Sequence, residues 1–452
     1  MTFAQRAAFL AELPVSLATR QDRLVRAARM VEGQAEALCR ALVADGRHPD
    51  VTAARQADVT PALAALRDAA RKVGDWIRPA PAGGWLGRMT RGDDYIACQP
   101  LGVVGLAASH TLPLSRTMGL LAGALAAGNR VVIRFDPATP HLAERVAAAV
   151  ATAFDPAELT IASSDDAFAA MRFDRLVISS PATADHDRAD HDGGNHEGAG
   201  AVTIHRSGKT PVILGRSTDF ARAAERIVAA KLVQAGRVPL TPDYLLVPAE
   251  QEEMVGNWLC RAAARLFPRI GDEAGDTRLT REESTRIDAL LADARVRGGT
   301  VLTIPAPRAG RAPLHIVRHA SDDMAILREE IAGPILPLRN YAPIDEAIAE
   351  THTRQPLAIC YFGRDAAERQ QVLARTISST IAINGPALLG PALPGPALLD
   401  RAVSAVGLTL AGEHGEAAFR QMSQTRRVCR PPLLDIARAR VELGIRGLPA
   451  LP

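Results

Sequence analysis

The sequence predicts an α/β protein of two lobes with appended segments, its strands gathered into parallel sheets. Three observations predict this. Short runs rich in β-branched residues, such as Val131-Val132-Ile133 and Leu176-Val177-Ile178, alternate with stretches whose apolar residues recur every three or four positions. At 452 residues the chain fits about two or three packed units. Apolar residues make up 47% and charged residues 23%, which excludes a disordered tail, a collagen-like fibre and a coiled-coil rod.

Taken in order, residues 1–78 read as helices, and Pro61 after Thr60 suits a helix N-terminus. Residues 79–84, Pro-Ala-Pro-Ala-Gly-Gly, form a turn-rich break. The apolar run 102–106 is followed by an Ala/Leu/Gly helix over 113–127, closed by Gly128-Asn129. A strand at 131–133, a helix at 140–154 and a strand at 176–178 come next. Residues 185–200 are a polar loop. Strands follow at 201–204 and 210–214, then an amphipathic helix at 219–232 and a strand at 243–247. A second αβ unit fills 250–341, and 391–396 break the chain before an irregular C-terminal region. Aromatics are only 4%, so Ala, Val, Leu and Ile must build the core.

Net charge is +3, from 53 Lys+Arg against 50 Asp+Glu, with Arg scattered among acids. That argues against a nucleic-acid partner. The five cysteines (Cys39, Cys98, Cys260, Cys360, Cys429) are widely spaced without CxxC, as in a reducing compartment. The N-terminal segment lacks the three-part pattern of a signal peptide, and the longest apolar stretch, 118–127, is too short to span a bilayer. The expectation is a cytoplasmic protein with no membrane partner.

Six segments carry a resemblance. They are QPLGVVGLAASHTLPLSRTMGLLAGALAAGNRVVIR at 99–134, SGKTPVIL at 207–214, KLVQAGRVPLTPDYLLVP at 231–248, REEIAGPILPL at 328–338, PLAICYFGRD at 356–365 and GEHGEAAFRQMSQTRRV at 412–428. In order and spacing the chain from about 95 to 430 resembles the aldehyde dehydrogenase superfamily, nearest its coniferyl-aldehyde-dehydrogenase-like branch. The resemblance implies the aldehyde dehydrogenase fold: a Rossmann-like nucleotide domain, an α/β catalytic-type domain and a β-arm for oligomerisation. The expected division is 1–203 for the N-terminal helices and nucleotide-type domain, with about 86–100 contributing to the arm. Residues 204–390 form the catalytic-type domain, and 391–452 a segment with an oligomerisation strand and tail.

The family attacks an aldehyde with a cysteine thiolate, holds the oxyanion with a side-chain amide, passes hydride to NAD(P)⁺ and releases the acid with a carboxylate base. Its Asn-Ala-Gly-Gln-x-Cys-x-x-Pro-Asp-Tyr pattern corresponds to residues 234–244, which puts Pro239 in the nucleophile slot. Proline carries neither a nucleophile nor a backbone N–H. Cys260 and Cys360 read as core cysteines rather than substitutes. Thr111 occupies the oxyanion amide's place, where a helix-capping role before Pro113 competes with a catalytic one. His205 stands in the base position, with an imidazole that titrates near neutrality.

The cofactor positions are partly changed. Arg134 keeps a cation able to meet a 2′-phosphate, but Pro137 replaces the ribose carboxylate, and the glycine turn expected after Val177-Ile178 is absent. The glycine-rich stretch expected near the C-terminus is replaced by residues 393–400. Glu330 matches the glutamate that holds the nicotinamide ribose, followed by Ala332 where the family has an aromatic; alternatively Arg-Glu-Glu simply opens a helix turn. The loop 185–197 carries His186, His191 and His196 among four aspartates, and reads as a solvated loop rather than a metal site.

These changes together predict a catalytically inactive aldehyde-dehydrogenase-like protein, a pseudoenzyme with a binding or assembly role, as a homodimer or paired with an active paralogue. The alternative is an NAD(P)-dependent oxidoreductase that works on an aldehyde or alcohol without a cysteine. NAD or NADP is the cofactor implied.

Overall fold

Strands β-branched and apolar on both faces need helices above and below, and the chain meets this need twice. The computed structural model describes residues 2–428 except 49, 82–93, 110–111, 181–200, 207, 239, 271–277, 308–309, 354–355, 357, 379 and 387–413.

The N-terminal helices are α1 (Thr2–Glu12), α2 (Leu17–Gly33), α3 (Ala35–Ala44), α4 (Val51–Ala54) and α5 (Thr60–Trp76), with a π-helical turn over Arg55–Val59. They pack on the first lobe: Leu24, Leu42, Leu66 and Val73 share one core with Val104, Leu121 and Ile133. Arg23, 1% exposed, is paired to Glu12 at 2.7 Å and Glu158 at 2.9 Å, as a buried cation requires.

The chain continues as β1 (Ala80–Pro81), β2 (Tyr95–Pro100), β3 (Val103–Ala107), α6 (Pro113–Ala127), β4 (Arg130–Arg134), α7 (Pro140–Ala153), β5 (Leu159–Ile161), α8 (Asp165–Ala169), β6 (Arg175–Ser180) and β7 (Val202–Arg206). Strands β3 to β7 form a wholly parallel five-stranded sheet, ordered β5-β4-β3-β6-β7. The order reverses between β3 and β6, and ligands of doubly wound sheets bind beyond the carboxyl ends at such a reversal. Helix α6 starts at that edge, is buried along its whole length and stops at Gly128, whose φ of 92° suits glycine.

Leu112 precedes α6 at φ 46° without a side-chain cap. Thr111, the expected cap, lies outside the described residues. A carboxylate from the π-helical turn does the work: Asp58 Oδ1 accepts from Ser115 N at 2.5 Å, and His48 Nε2 sits 3.3 Å from Oδ2.

The second lobe comprises β8 (Pro211–Leu214), α9 (Phe220–Leu232), β9 (Tyr244–Pro248), α10 (Glu252–Ile270), α11 (Arg281–Val296), β10 (Thr300–Ile304), β11 (Leu314–Arg318), α12 (Ala325–Arg328), β12 (Ile335–Tyr341), α13 (Ile344–Thr353), β13 (Ala358–Phe362), α14 (Ala366–Arg375) and β14 (Thr380–Ile383). Its seven-stranded sheet runs β10-β11-β12-β9-β8-β13-β14, with only the edge strand β10 antiparallel. The first sheet therefore ends at Arg206 and the second begins at Pro211.

Helix α15 (Gly415–Gln421) and β15 (Ser423–Val428) return to the first lobe. β15 lies antiparallel to β2, from Ser423 opposite Pro100 to Val428 opposite Tyr95, with β1 on the other side. At Gly123 a Cβ would stand 2.6 Å from that of Ala418, so α6 and α15 approach this closely only because residue 123 is glycine. Buried Asn129 locks the junction. Its Oδ1 accepts from Leu101 N and Gly102 N at 2.7 and 3.0 Å, and its Nδ2 donates to Ala124 O and Met422 O at 3.2 and 2.8 Å. Among the described residues no helix is long and apolar enough to cross a membrane.

Candidate functional site

Three loops meet at the N-terminal edge of β8 and β9: 208–210 before β8, 233–243 between α9 and β9, and 329–333 after α12. Lys209 ties them. Its Nζ pairs with Asp243 Oδ2 at 2.5 Å and donates to the carbonyls of Ile326 at 3.0 Å and Glu329 at 2.5 Å. Asp243 Oδ1 in turn accepts from Ile331 N at 3.1 Å. Both side chains are buried, so each charge needs the other.

Loop 233–243 is tightly wound. Gln234, Ala235 and Gly236 all take positive φ, at 47°, 54° and 75°, and Leu240 does so at 68°. For the non-glycine residues this costs about 1–3 kcal/mol each, and the surroundings must impose it. A Cβ at Gly236 would lie 2.5 Å from Gly333 O, so loop 329–333 presses directly on this turn. Arg237 braces it by donating Nε to Gln234 O at 2.8 Å and pairing with Glu283 of α11 at 3.1 Å. Lys231, the penultimate residue of α9, is 1% exposed and donates Nζ to Pro242 O at 2.9 Å. Burial, reinforced by the like charge of Lys209 and opposed by Asp243 and Glu330, pulls its ammonium down to about 8.

Glu330 faces this cluster. The residue is half-buried, but its Oε2 is shut off from solvent and accepts no hydrogen bond. Burial, then the charge of Asp243, pushes its carboxyl up to about 8 against the pull of Lys209, Arg116 and Lys231. Its backbone is fixed by Arg286 of α11, which donates to the carbonyls of Glu330 at 2.5 Å and Ile331 at 2.6 Å. The helix-opening alternative does not hold: α12 ends at Arg328, and Glu330 lies beyond it in the loop that leads to β12.

The family's sequence profile, described as the aldehyde dehydrogenase family, matches residues 3–396. The chain belongs to the aldehyde dehydrogenase family. It is 33% identical to coniferyl aldehyde dehydrogenase of a Pseudomonas species over 391 residues, which cover 83% of this chain and 80% of that one. A probable coniferyl aldehyde dehydrogenase of Pseudomonas aeruginosa is 31% identical over 443 residues, 96% of this chain and 91% of its own length. Among solved structures, the substrate-bound state of Staphylococcus aureus AldH superposes with a TM-score of 0.75 at 21% identity, covering 96% of this chain and 94% of that one. A variant of Pseudomonas syringae aldehyde dehydrogenase C, solved with NAD⁺ and octanal, gives 0.72 at 21% identity over 95% and 87%. The aldehyde dehydrogenase fold implied by the six segments is the one observed.

Of the site positions transferred from the family, Thr111 and Pro239 lie outside the described residues, as does the loop 185–197 with its histidines. The backbone of His205 lies in β7 opposite Ser179 of β6. Arg134 ends β4, with Nη1 3.2 Å from Asp165 Oδ1 and a buried Nε that donates to nothing. Arg134 and Glu330 belong to different lobes, one at the carboxyl edge of the first sheet and one beside the second. Cys360 is fully buried in β13, and burial raises the thiol of Cys260 in α10; neither offers a ready thiolate.

Sequence reasoning missed Lys209 and Lys231 as site residues, although a signal was present. The chain has just three lysines, Lys72, Lys209 and Lys231, while Arg supplies every other cation. Two of the three are buried in this cluster. A buried ammonium shifts and shares its proton as a guanidinium does not.

Proposed function

We propose that this aldehyde dehydrogenase family member is catalytically inactive and has a binding or assembly role. Pro239 carries the reading, because it stands in sequence between Gly236 and Asp243, which match the residues flanking the family's nucleophile. Ala235-Gly236, Pro242-Asp243-Tyr244 and Lys209 match the family's pattern in sequence, while the nucleophile slot does not. The test is cofactor reduction with coniferyl aldehyde, octanal and benzaldehyde. No turnover above a protein-free control is expected; sustained turnover lost in His205→Ala or Glu330→Gln would overturn the reading.

The second reading, a non-cysteine NAD(P)-dependent oxidoreductase, is favoured by Glu330. A shielded carboxyl oxygen without a partner suits the hydroxyls of a nicotinamide ribose. The adenosine end fits less well, since Asp165 already engages the cation that a 2′-phosphate would need. A bound NAD(P) would supply the hydride acceptor; Glu330 would hold its ribose. Calorimetric titration with NAD⁺ and NADP⁺ decides. Micromolar binding, weakened in Glu330→Gln, favours the oxidoreductase, and no heat at millimolar cofactor favours the inactive protein.

The proposed assembly is a homodimer, or a heteromer with an active paralogue, in the cytoplasm, through the arm formed by β2 and β15. That sheet is separate from the two lobe sheets, and among the described residues no strand pairs with the outer edge of β15, whose residues are largely exposed. A proline at Thr425 should lower the sedimentation coefficient if the edge is used.

A further inference from the structure

We propose that the cavity at the start of α9 is a second ligand site, which takes a phosphate-type oxyanion. It encloses about 250 Å³ beyond the carboxyl ends of β8, β13 and β14, and three arginines line it: Arg222, Arg226 and Arg364. The Lys209 cluster lies at the opposite, N-terminal edge of β8 and β9, and Lys231 follows Arg226 by five residues, about 7.5 Å of helical rise, on another side of α9. The two sites are therefore separate.

Arg226 is the decisive residue. It is 7% exposed, yet no carboxylate pairs with it among the described residues; its guanidinium donates to the carbonyl of Asn384, and its buried Nε donates to nothing. The influences on its charge, burial first and then the like charge of Arg222, both disfavour it. A buried cation left in this state is costly, and an anion in the cavity removes the cost. Arg222 adds an exposed cation on the next turn of the same face, and Arg364 reaches in from the loop after β13.

Among the described residues the wall holds one opposing carboxylate. Asp219 caps α9 by accepting from Arg222 N at 3.2 Å, and its Oδ2 lies 3.3 Å from Arg364 Nη2. Three cations against one anion leave two positive charges, which matches a phosphate or phosphate monoester near neutrality. The neighbouring Thr218 hydroxyl and Gly363 amide are already committed, to Phe362 O at 2.6 Å and Asn384 Oδ1 at 2.9 Å. The arginines must therefore supply recognition, and their forked donors suit phosphate oxygens.

The test is calorimetric titration of the full chain with inorganic phosphate and with phenyl phosphate, at ionic strength held constant with chloride. Saturable binding of either is expected, weakened about tenfold or more in the doubly substituted R222A/R364A protein, whose changes are both on exposed side chains. Tighter binding of phenyl phosphate assigns the site to a phosphorylated small molecule; equal binding assigns it to phosphate itself. Arg226→Met removes the unpaired charge, and should lose the response while melting no lower than wild type in phosphate-free buffer. Absence of saturable binding, or an undiminished response in R222A/R364A, overturns the proposal. So does a fall in oligomeric state of R222A/R364A without phosphate binding, which would assign the arginines to acids of a second copy.

Discussion

Glu330 and Lys231 carry opposite titration signatures, measurable without turnover. The Glu330 carboxyl titrates near 8 in the fold against an ordinary 4.5. Its contribution to stability is complete below about pH 4.5 and is lost as pH rises through 8. Glu330→Gln keeps the neutral shape, so it should flatten this decline and stabilise the protein at pH 8 by ~1–3 kcal/mol. Lys231 falls to about 8 from 10.5, so its contribution is present above about 10.5 and is lost as pH drops through 8. Lys231→Met should accordingly flatten the rise in stability over that alkaline window. Urea unfolding at a series of pH values reads both, and equal slopes for wild type and Glu330→Gln would remove the buried-carboxyl account. The slot held by Pro239 was legible because Ala-Gly and Pro-Asp-Tyr flank it at fixed spacing. The environment of Glu330 was not, because Lys209, Lys231, Asp243 and Arg116 reach it from four separate parts of the chain.

Helices and strands follow their sequence patterns closely wherever burial is uniform. The run Val131–Ile133 lies within β4, and Pro113–Ala127 is α6 with glycine at its end. The exception is how α6 begins. Its cap comes from Asp58, 57 residues away from Ser115, and no local pattern announces a partner at that range. The π-helical turn over Arg55–Val59 holds this carboxylate, and such turns often sit where a helix has been bent to a purpose. Asp58→Ala should cost about 2–3 kcal/mol, since it strips the acceptor from a buried amide and the partner from His48. Asp58→Asn, which still accepts, should cost less. Chemical denaturation of the two variants checks the order, and equal losses would mean that one acceptor oxygen is not enough and that both carboxylate oxygens, toward Ser115 N and His48, are required.

The whole molecule depends on its C-terminal portion returning to the first lobe. Gly123→Val would force α6 and α15 apart, and is expected to destabilise the protein by about 2 kcal/mol or more and to expose 415–428 to limited proteolysis. Unchanged protease resistance would show that α15 can dock without the close approach. Asn129 extends the argument to synthesis. One of its amide hydrogens finds its acceptor, Met422 O, 293 residues further along the chain. While a ribosome is still building the second lobe, the first therefore stands with this donor lacking its protein acceptor. Its final tightening awaits the segment that carries Met422, so a nascent chain halted short of that residue should yield its first lobe to protease more readily than the finished protein does.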